Sequence, residues 1–267
     1  MTGISIGSAE EKVLAAALPL GHELADAAGE VLRRYFRQPL AVEDKADHSP
    51  VTIADREVEG VMRALIGAGF ADHGVLGEEY GSDRPDAEWV WVLDPIDGTK
   101  AFISGLPLFG TLIALAWRGR PLLGLLDQPI SRERWAGVSG RVSTLNEVPI
   151  SVRECPSLAR ATLFATAPDM FRGEDQAAWQ RASGDAKLVR YGADCYAYGL
   201  LASGFCDGVV EASLKPYDYC AHVPIIEGAG GIVTDWRGAP AGLAGDGRIA
   251  AAGDAAVHDE ILARLAA

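Results

Sequence analysis

The stretch that most constrains this chain is WVWVLDPIDGT at positions 89–99. Five consecutive apolar residues form a strand pattern buried on both faces, and the run stops at an aspartate. Pro95 fixes φ and offers no N–H, while Gly98 allows a left-handed backbone, so a turn begins where the strand ends. Asp94 and Asp97 are thereby bent toward one point, where two carboxylates can share a cation. The bend leaves the Ile96 carbonyl as a further oxygen ligand, and hard Mg²⁺ takes oxygen ligands in near-octahedral geometry while keeping several waters. Beyond the bend, the N–H groups of Gly98 and Thr99 can face an anion. As an isolated hexamer, D-P-x-D-G-T serves equally well as a strand-ending turn that caps the next element.

Other carboxylates stand at comparable places. Glu78 and Glu79 follow Gly77 and the apolar Val75 and Leu76, so one of the pair can reach a metal while the other is solvated. By itself a Glu-Glu pair is more often a solvated loop. Asp218 lies between a strand ending near Ala212 and a helix beginning near Tyr219, the place of an ordinary N-cap. Asp55 stands at the start of a helix over 54–66, whose Val58, Val61, Met62, Leu65 and Ile66 share one face.

The rest of the pattern predicts a layered α/β chain. An opening helix follows Ser8, which has capping-box spacing to Glu11, and runs through Leu24, Ala28, Val31, Leu32 and Tyr35, with Pro19 expected to interrupt or kink its early turns. Strands are expected at 75–76, 89–93, 111–117 and 121–126, the last two joined as a hairpin through Arg118-Gly119. The second half alternates strands at 161–165, 187–191 and 208–212 with helices at 175–182 and 196–203. It then continues with a helix after Asp218, strands at 232–234 and 249–252, and a closing helix. Gly, Ser, Thr and Asn accumulate over 140–146, which divides the chain into an α+β half, 1–142, and an α/β half, 143–267.

At 267 residues the chain can bury a sizeable core, and a charged fraction of 23% is that of an ordinary globular protein. A net charge of −13 opposes a nucleic-acid duplex or an anionic membrane as partner, since both attract basic surfaces. Phosphate binding then requires a mediating cation. The four cysteines show no C-x-x-C spacing, no window reaches the ~18 apolar residues of a membrane span, and positions 1–11 lack an export signal. These features lead to an expectation of a reduced, cytoplasmic setting.

The strings GEE at 77–79, WVLDPIDGT at 91–99 and YDYCAHVPIIEGAGG at 217–231, in this order, resemble the inositol monophosphatase superfamily of lithium-sensitive, magnesium-dependent phosphatases. DPIDGTKAFISGLPLFGTLIAL, EASLKPYDYCAHVPIIEGAGGIVTDW and KADHSPVTIAD resemble its histidinol-phosphate phosphatase branch. The resemblance implies an αβαβα sandwich, usually homodimeric, with two or three Mg²⁺ per site and a small phosphorylated metabolite as substrate. It implies further that Glu78, Asp94, the Ile96 carbonyl, Asp97 and Asp218 hold the metals, and that Asp55, Glu78 and Thr99 orient the attacking water. Hydrolysis then proceeds by activated water with a second cation at the leaving oxygen, and no covalent enzyme intermediate is needed. No G-x-S-x-G elbow, H-x-x-x-H pair or P-loop competes with this reading.

Within that resemblance Asp194 and Glu211 face the alcohol portion of the substrate, where carboxylates favour the ammonium and imidazole of histidinol phosphate over the hydroxyls of inositol or sugar phosphates. The bland alternative is that Asp194 caps the helix near Tyr196 and Glu211 caps its strand end. Inositol monophosphate, sugar phosphates and 3′-phosphorylated nucleotides remain alternative substrates, and a catalytically silent metal- and metabolite-binding protein is the alternative of another class. Lys45, near Asp47, is either a screen for substrate charge or an exposed lysine, and His222 receives no role. Tyr217 replaces the Trp found before the metal-binding Asp in many members, and Pro224 is expected to bend the helix after Asp218.

Overall fold

The computed structural model describes residues 7–39, 42–44 and 50–267; Lys45 and Asp47 lie outside them. Helix α1 (Ser8–Tyr35) buries Leu14, Ala17, Leu24, Ala28, Val31 and Leu32 at helical spacing. Two expectations fail here. Gly7 is the N-cap and Ser8 is already helical, so no capping box forms, and Pro19 does not interrupt the helix. Pro19 stands on the exposed face, where the loss of one N–H is outweighed by an apolar stripe that continues past it on the buried side.

Strands β1 (Val42–Asp44) and β2 (Pro50–Thr52) pair antiparallel and lead into α2 (Ile53–Gly69). Eight strands then build the first sheet: β3 (Gly74–Gly77), β4 (Gly81–Asp83), β5 (Trp89–Asp97), β6 (Gly110–Trp117), β7 (Arg120–Gln128), β8 (Glu133–Val138), β9 (Thr144–Leu145) and β10 (Val148–Pro149). Their order is β10-β9-β8-β7-β6-β5-β3-β4, with β3 and β5 the parallel pair. The β6–β7 hairpin forms as expected, turning through Arg118 and Gly119, both at positive φ. A short helix, α3 (Thr99–Ile103), follows β5.

In the second half, β11 (Thr162–Ala165), α4 (Glu174–Asp185), β12 (Leu188–Tyr191), α5 (Tyr196–Ala202) and β13 (Gly208–Glu211) alternate. After them come α6 (Pro216–Tyr219), α7 (His222–Gly228), β14 (Ile232–Thr234), β15 (Ile249–Ala252) and α8 (Ala255–Ala266). The second sheet runs β12-β11-β13-β15-β14. The single helix expected after Asp218 is two helices broken at Cys220–Ala221, so Pro224 falls in the first turn of α7, where its missing N–H leaves no bond unmade.

Residues alternate across β5, which explains its unbroken apolar run: Trp91 and Leu93 join α1 and α2 in one core, while Val90 and Val92 join a second core with Tyr198, Ile225 and Val209. The far face of the second sheet, through Leu163 and Val210, packs on Trp179 of α4 and Ile261 of α8. Fully burying each such side chain contributes about 1.5–3 kcal/mol. The layers are therefore α, β, α, β, α. Strand pairing in the first sheet continues past 142 to Pro149, and the middle core draws residues from both halves.

Candidate active site

The strand expected to stop at Asp94 instead continues to Asp97 through a bulge. Asp94 pairs with Leu112 and Asp97 with Gly110, so one extra residue is accommodated on β5. Pro95 is tolerated because it lies inside the bulge, where no ladder N–H is required, and its carbonyl accepts the Thr111 hydroxyl at 2.9 Å. The Ile96 N–H donates to Asp94 Oδ1 at 3.0 Å, and the Thr99 hydroxyl donates to the Ile96 carbonyl at 3.0 Å. Gly98 then takes a left-handed φ of 81° at the N-cap of α3.

Asp218 arrives from the second half of the chain on α6, its Oδ2 accepting the Lys215 N–H at 2.6 Å. It sits inside the first turn and is not the N-cap, which is Lys215. One carboxylate oxygen from each of Asp94, Asp97 and Asp218 lies within 4.8 Å of the others. Glu78 stands just past the end of β3, where its N–H donates to the Leu93 carbonyl at 3.2 Å, and it is near enough to perturb both Asp94 and Asp55. Asp55 is fixed in a capping box: its Oδ2 accepts the Thr52 N–H at 2.8 Å and the Thr52 hydroxyl at 2.7 Å.

Burial pushes the Asp94 carboxyl well above the usual range, and the charges of Glu78, Asp97 and Asp218 push it further. Burial does the same to Asp97, with Asp194 and Asp218 adding to it and the Cys195 N–H at 2.9 Å opposing. Asp218 is pushed up to about 7 by burial against the opposing Lys215 N–H. Like charges removed from water in this way call for a positive partner. The donor set is all oxygen, and the adjacent Cys195 thiol is held protonated by burial, which suits a hard cation.

Beside the cluster lies a cavity of about 210 Å³, lined among others by Asp97, Thr99, Lys100, Asp194, Glu211 and Asp218. Asp194 sits over Gly98: a Cβ on that glycine would meet Asp194 Cβ at 3.1 Å and Phe109 Cα at 3.2 Å. Asp194 does not cap α5, whose N-cap is Cys195. Burial raises it to about 6, with Lys100 opposing. Glu211 is buried at the end of β13, its Oε1 accepting the Thr166 N–H and its Oε2 the Tyr198 hydroxyl, each at 2.8 Å. Burial raises Glu211 to about 7.

The fold thus gathers Asp97, Gly98, Thr99, Asp194, Glu211 and Asp218 around one cavity, with Asp94 buried against the cluster and Asp55 and Glu78 on its α2 side. Sequence reasoning missed Tyr198, Thr166 and Glu59, each of which holds a site residue or its loop. Tyr198 also stacks on the wholly buried His222, with ring centroids 4.1 Å apart. That contact gives His222 a packing role.

Fold and site together define a layered α/β hydrolase built around carboxylates, the class that acts on small phosphate esters. The chain belongs to the inositol monophosphatase family, whose model matches residues 10–267. It is 50% identical over 255 residues to the bifunctional phosphatase IMPL2 of Arabidopsis thaliana, described as chloroplastic, covering 92% of this chain and 74% of that protein. It is 36% identical to a histidinol-phosphatase of Chlorobaculum parvum, covering 88% and 91% of the two chains. Among solved structures, an inositol monophosphatase from Zymomonas mobilis superposes with a TM-score of 0.87 at 44% identity, covering 98% of this chain and 100% of that one. No helix among the described residues is long and apolar enough to cross a membrane.

Proposed function

We propose that this phosphatase uses Mg²⁺ to hydrolyse histidinol phosphate to histidinol and phosphate. The observation that carries the substrate choice is the pair of carboxylates, Asp194 and Glu211, in the cavity beside Asp97 and Asp218; Asp194 does not cap α5, while Glu211 also holds the Thr166 N–H past the end of β11, the strand-end role that was its alternative. An ammonium or imidazolium group gains charge-assisted hydrogen bonds there that a sugar hydroxyl does not. The histidinol-phosphatase of Chlorobaculum parvum among the relatives supports the same substrate.

When bound, two or three hard cations supply charge for the phosphate and acidify water. The chain's own groups do the rest. Asp94, Asp97, Asp218, Glu78 and the Ile96 carbonyl would hold the cations; Glu78 and Asp55 orient the attacking water. Thr99, whose proton is engaged by the Ile96 carbonyl, offers its oxygen lone pairs to that water. The N–H groups of Gly98 and Thr99 face the phosphate. Retention of every one of these carboxylates argues against a silent binding protein.

The same reading includes lithium inhibition, a homodimer and a reducing, cytoplasmic compartment. The four free, buried cysteines support a reducing compartment. A second substrate is favoured by one finding, the bifunctional phosphatase among the relatives. A phosphate-release assay with Mg²⁺ over histidinol phosphate, inositol monophosphate, fructose bisphosphate and a 3′-phosphorylated nucleotide tests the proposal. The highest kcat/KM is expected for histidinol phosphate; a preference for inositol monophosphate would overturn the substrate while leaving the phosphatase intact.

A further inference from the structure

Helix α2 carries a second acid one turn beyond Asp55. Glu59 is wholly buried, yet the reaction described above gives it no part. Its carboxylate accepts the Glu79 N–H at 2.7 Å, the Tyr80 N–H at 3.2 Å and Arg63 Nε at 2.7 Å. Arg63 in turn donates to the Gly81 carbonyl. The carboxylate lies where the side chain of residue 77 would be: a Cβ on Gly77 would meet Glu59 Oε1 at 2.0 Å. Residues 79, 80 and 81 are therefore tied, directly or through Arg63, to one buried side chain that fills the space beside Gly77, and Glu78 is the residue between them.

We propose that Glu59 is the positioning residue for Glu78, fixing the loop so that the Glu78 carboxylate meets the cation site, and so setting the affinity of that site for Mg²⁺. The inference rests on the reading of Glu78 as a cation ligand. Its physical basis is that a loop glutamate on its own has several rotatable bonds and a mobile backbone, and ordering them at the moment of metal binding weakens affinity. Glu59 prepays that ordering with two backbone hydrogen bonds from a helix that also carries Asp55. The i, i+4 spacing of Asp55 and Glu59 puts both acids on one face of α2, so the water-orienting carboxylate and the anchor of the metal-binding loop move as one body.

The test is a Mg²⁺ titration by calorimetry on the intact protein without substrate, joined to the Mg²⁺ dependence of kcat and to KM at saturating Mg²⁺. Glu59→Gln keeps the side-chain volume but presents an amide N–H₂ to donors. It is expected to weaken Mg²⁺ binding about 10- to 100-fold, the usual effect of removing the support of a metal ligand. KM at saturating Mg²⁺ should stay within twofold, and Glu57→Gln on the same helix should bind Mg²⁺ like the wild type. Glu78→Gln separates the two ideas. If it leaves Mg²⁺ affinity unchanged, Glu78 is no ligand and the underlying reading fails; if it weakens binding while a folded Glu59→Gln does not, the positioning role alone is overturned. A lowered melting temperature with wild-type Mg²⁺ affinity in Glu59→Gln likewise makes Glu59 a stability residue only. Should Glu59→Gln not fold, Glu59→Asp, which keeps the charge but draws the carboxylate back from the Glu79 and Tyr80 N–H groups, decides in its place: weaker Mg²⁺ binding upholds the proposal, and unchanged binding overturns it.

Discussion

At Asp94 a neutral amide changes two things in opposite directions. The wild-type carboxyl is buried among Glu78, Asp97 and Asp218, so Asp94→Asn removes a like charge and relieves repulsion in the metal-free protein. The same change removes a charged oxygen from the proposed cation site. Metal-free Asp94→Asn should therefore melt no lower than the wild type, gain less from added Mg²⁺, and lose several kcal/mol of transition-state stabilisation. Thermal melts with and without Mg²⁺, beside kcat, check it; a near-normal kcat would remove Asp94 from the site. In the proposed reading, selectivity resides in other residues. Glu211→Gln and Asp194→Asn should each lower kcat/KM for histidinol phosphate by about 1.5–3 kcal/mol, the worth of a charged hydrogen bond, and scarcely alter turnover of an aryl phosphate that has no ammonium. Equal losses on both substrates would assign these residues to the general machinery.

Among the elements, α2 has the clearest division of labour. Thr52 caps it by accepting the Ala54 N–H at 3.1 Å, and the same residue donates twice to Asp55. Thr52→Ala should cost about 0.5–2 kcal/mol of stability through the lost cap. It should also lower kcat beyond what stability explains, because Asp55 loses its hydroxyl donor. Thr52→Ser should restore both, and a Thr52→Ala enzyme with full kcat would show that Asp55 needs no such support. The helical face from Val58 to Ile66 was read from the sequence, whereas the capping box of Thr52 and Asp55 was not: the spacing was noted only at Ser8 and Glu11, where no box forms. The anchor Glu59 was not read either, since in the pattern D-R-E-V-E a buried acid looks like any solvated one until the loop that covers it is placed. Strand β8 went unseen for a related reason: six residues with two charges and a glycine become a strand only when β7 is there to pair with them.

At the scale of the whole molecule, the chain passes from the first sheet to the second through Arg153, whose Nε and terminal nitrogen meet Asp207 at 2.7 and 2.6 Å. Asp207, buried just before β13, also accepts the Thr162 N–H at 2.7 Å. Burial alone would raise its pKa, but these partners outweigh it and hold it below the usual carboxylate value of 3.8. A depressed carboxyl contributes stability above its unfolded pKa and loses it as pH falls through the folded one, so this contribution is full at neutral pH and fades below about pH 4. Because Arg153 is partly exposed, Asp207→Asn should cost about 2 kcal/mol at pH 7, between a surface and a buried pair. Urea unfolding at pH 7 and below pH 4 should show the difference shrinking in acid; a constant difference would mean that packing, not charge, is responsible. The sequence alone determined the local matters: the apolar run of β5, the bend that turns Asp94 and Asp97 together, the β6–β7 hairpin and the acidic balance that demands a cation before phosphate can bind. Those follow from the period of apolar residues, from the restriction of Pro95 and the freedom of Gly98, and from Coulomb repulsion, all of which act between near neighbours. Tertiary structure decided that β5 runs on through a bulge, that β3 lies parallel beside it with Glu78 at its end, that Asp218 reaches the cluster from the other half, and that Glu59 and Tyr198 hold the carboxylates in place. Each of these is a pairing between segments far apart in the chain, chosen by which faces bury together, and no local pattern carries that information.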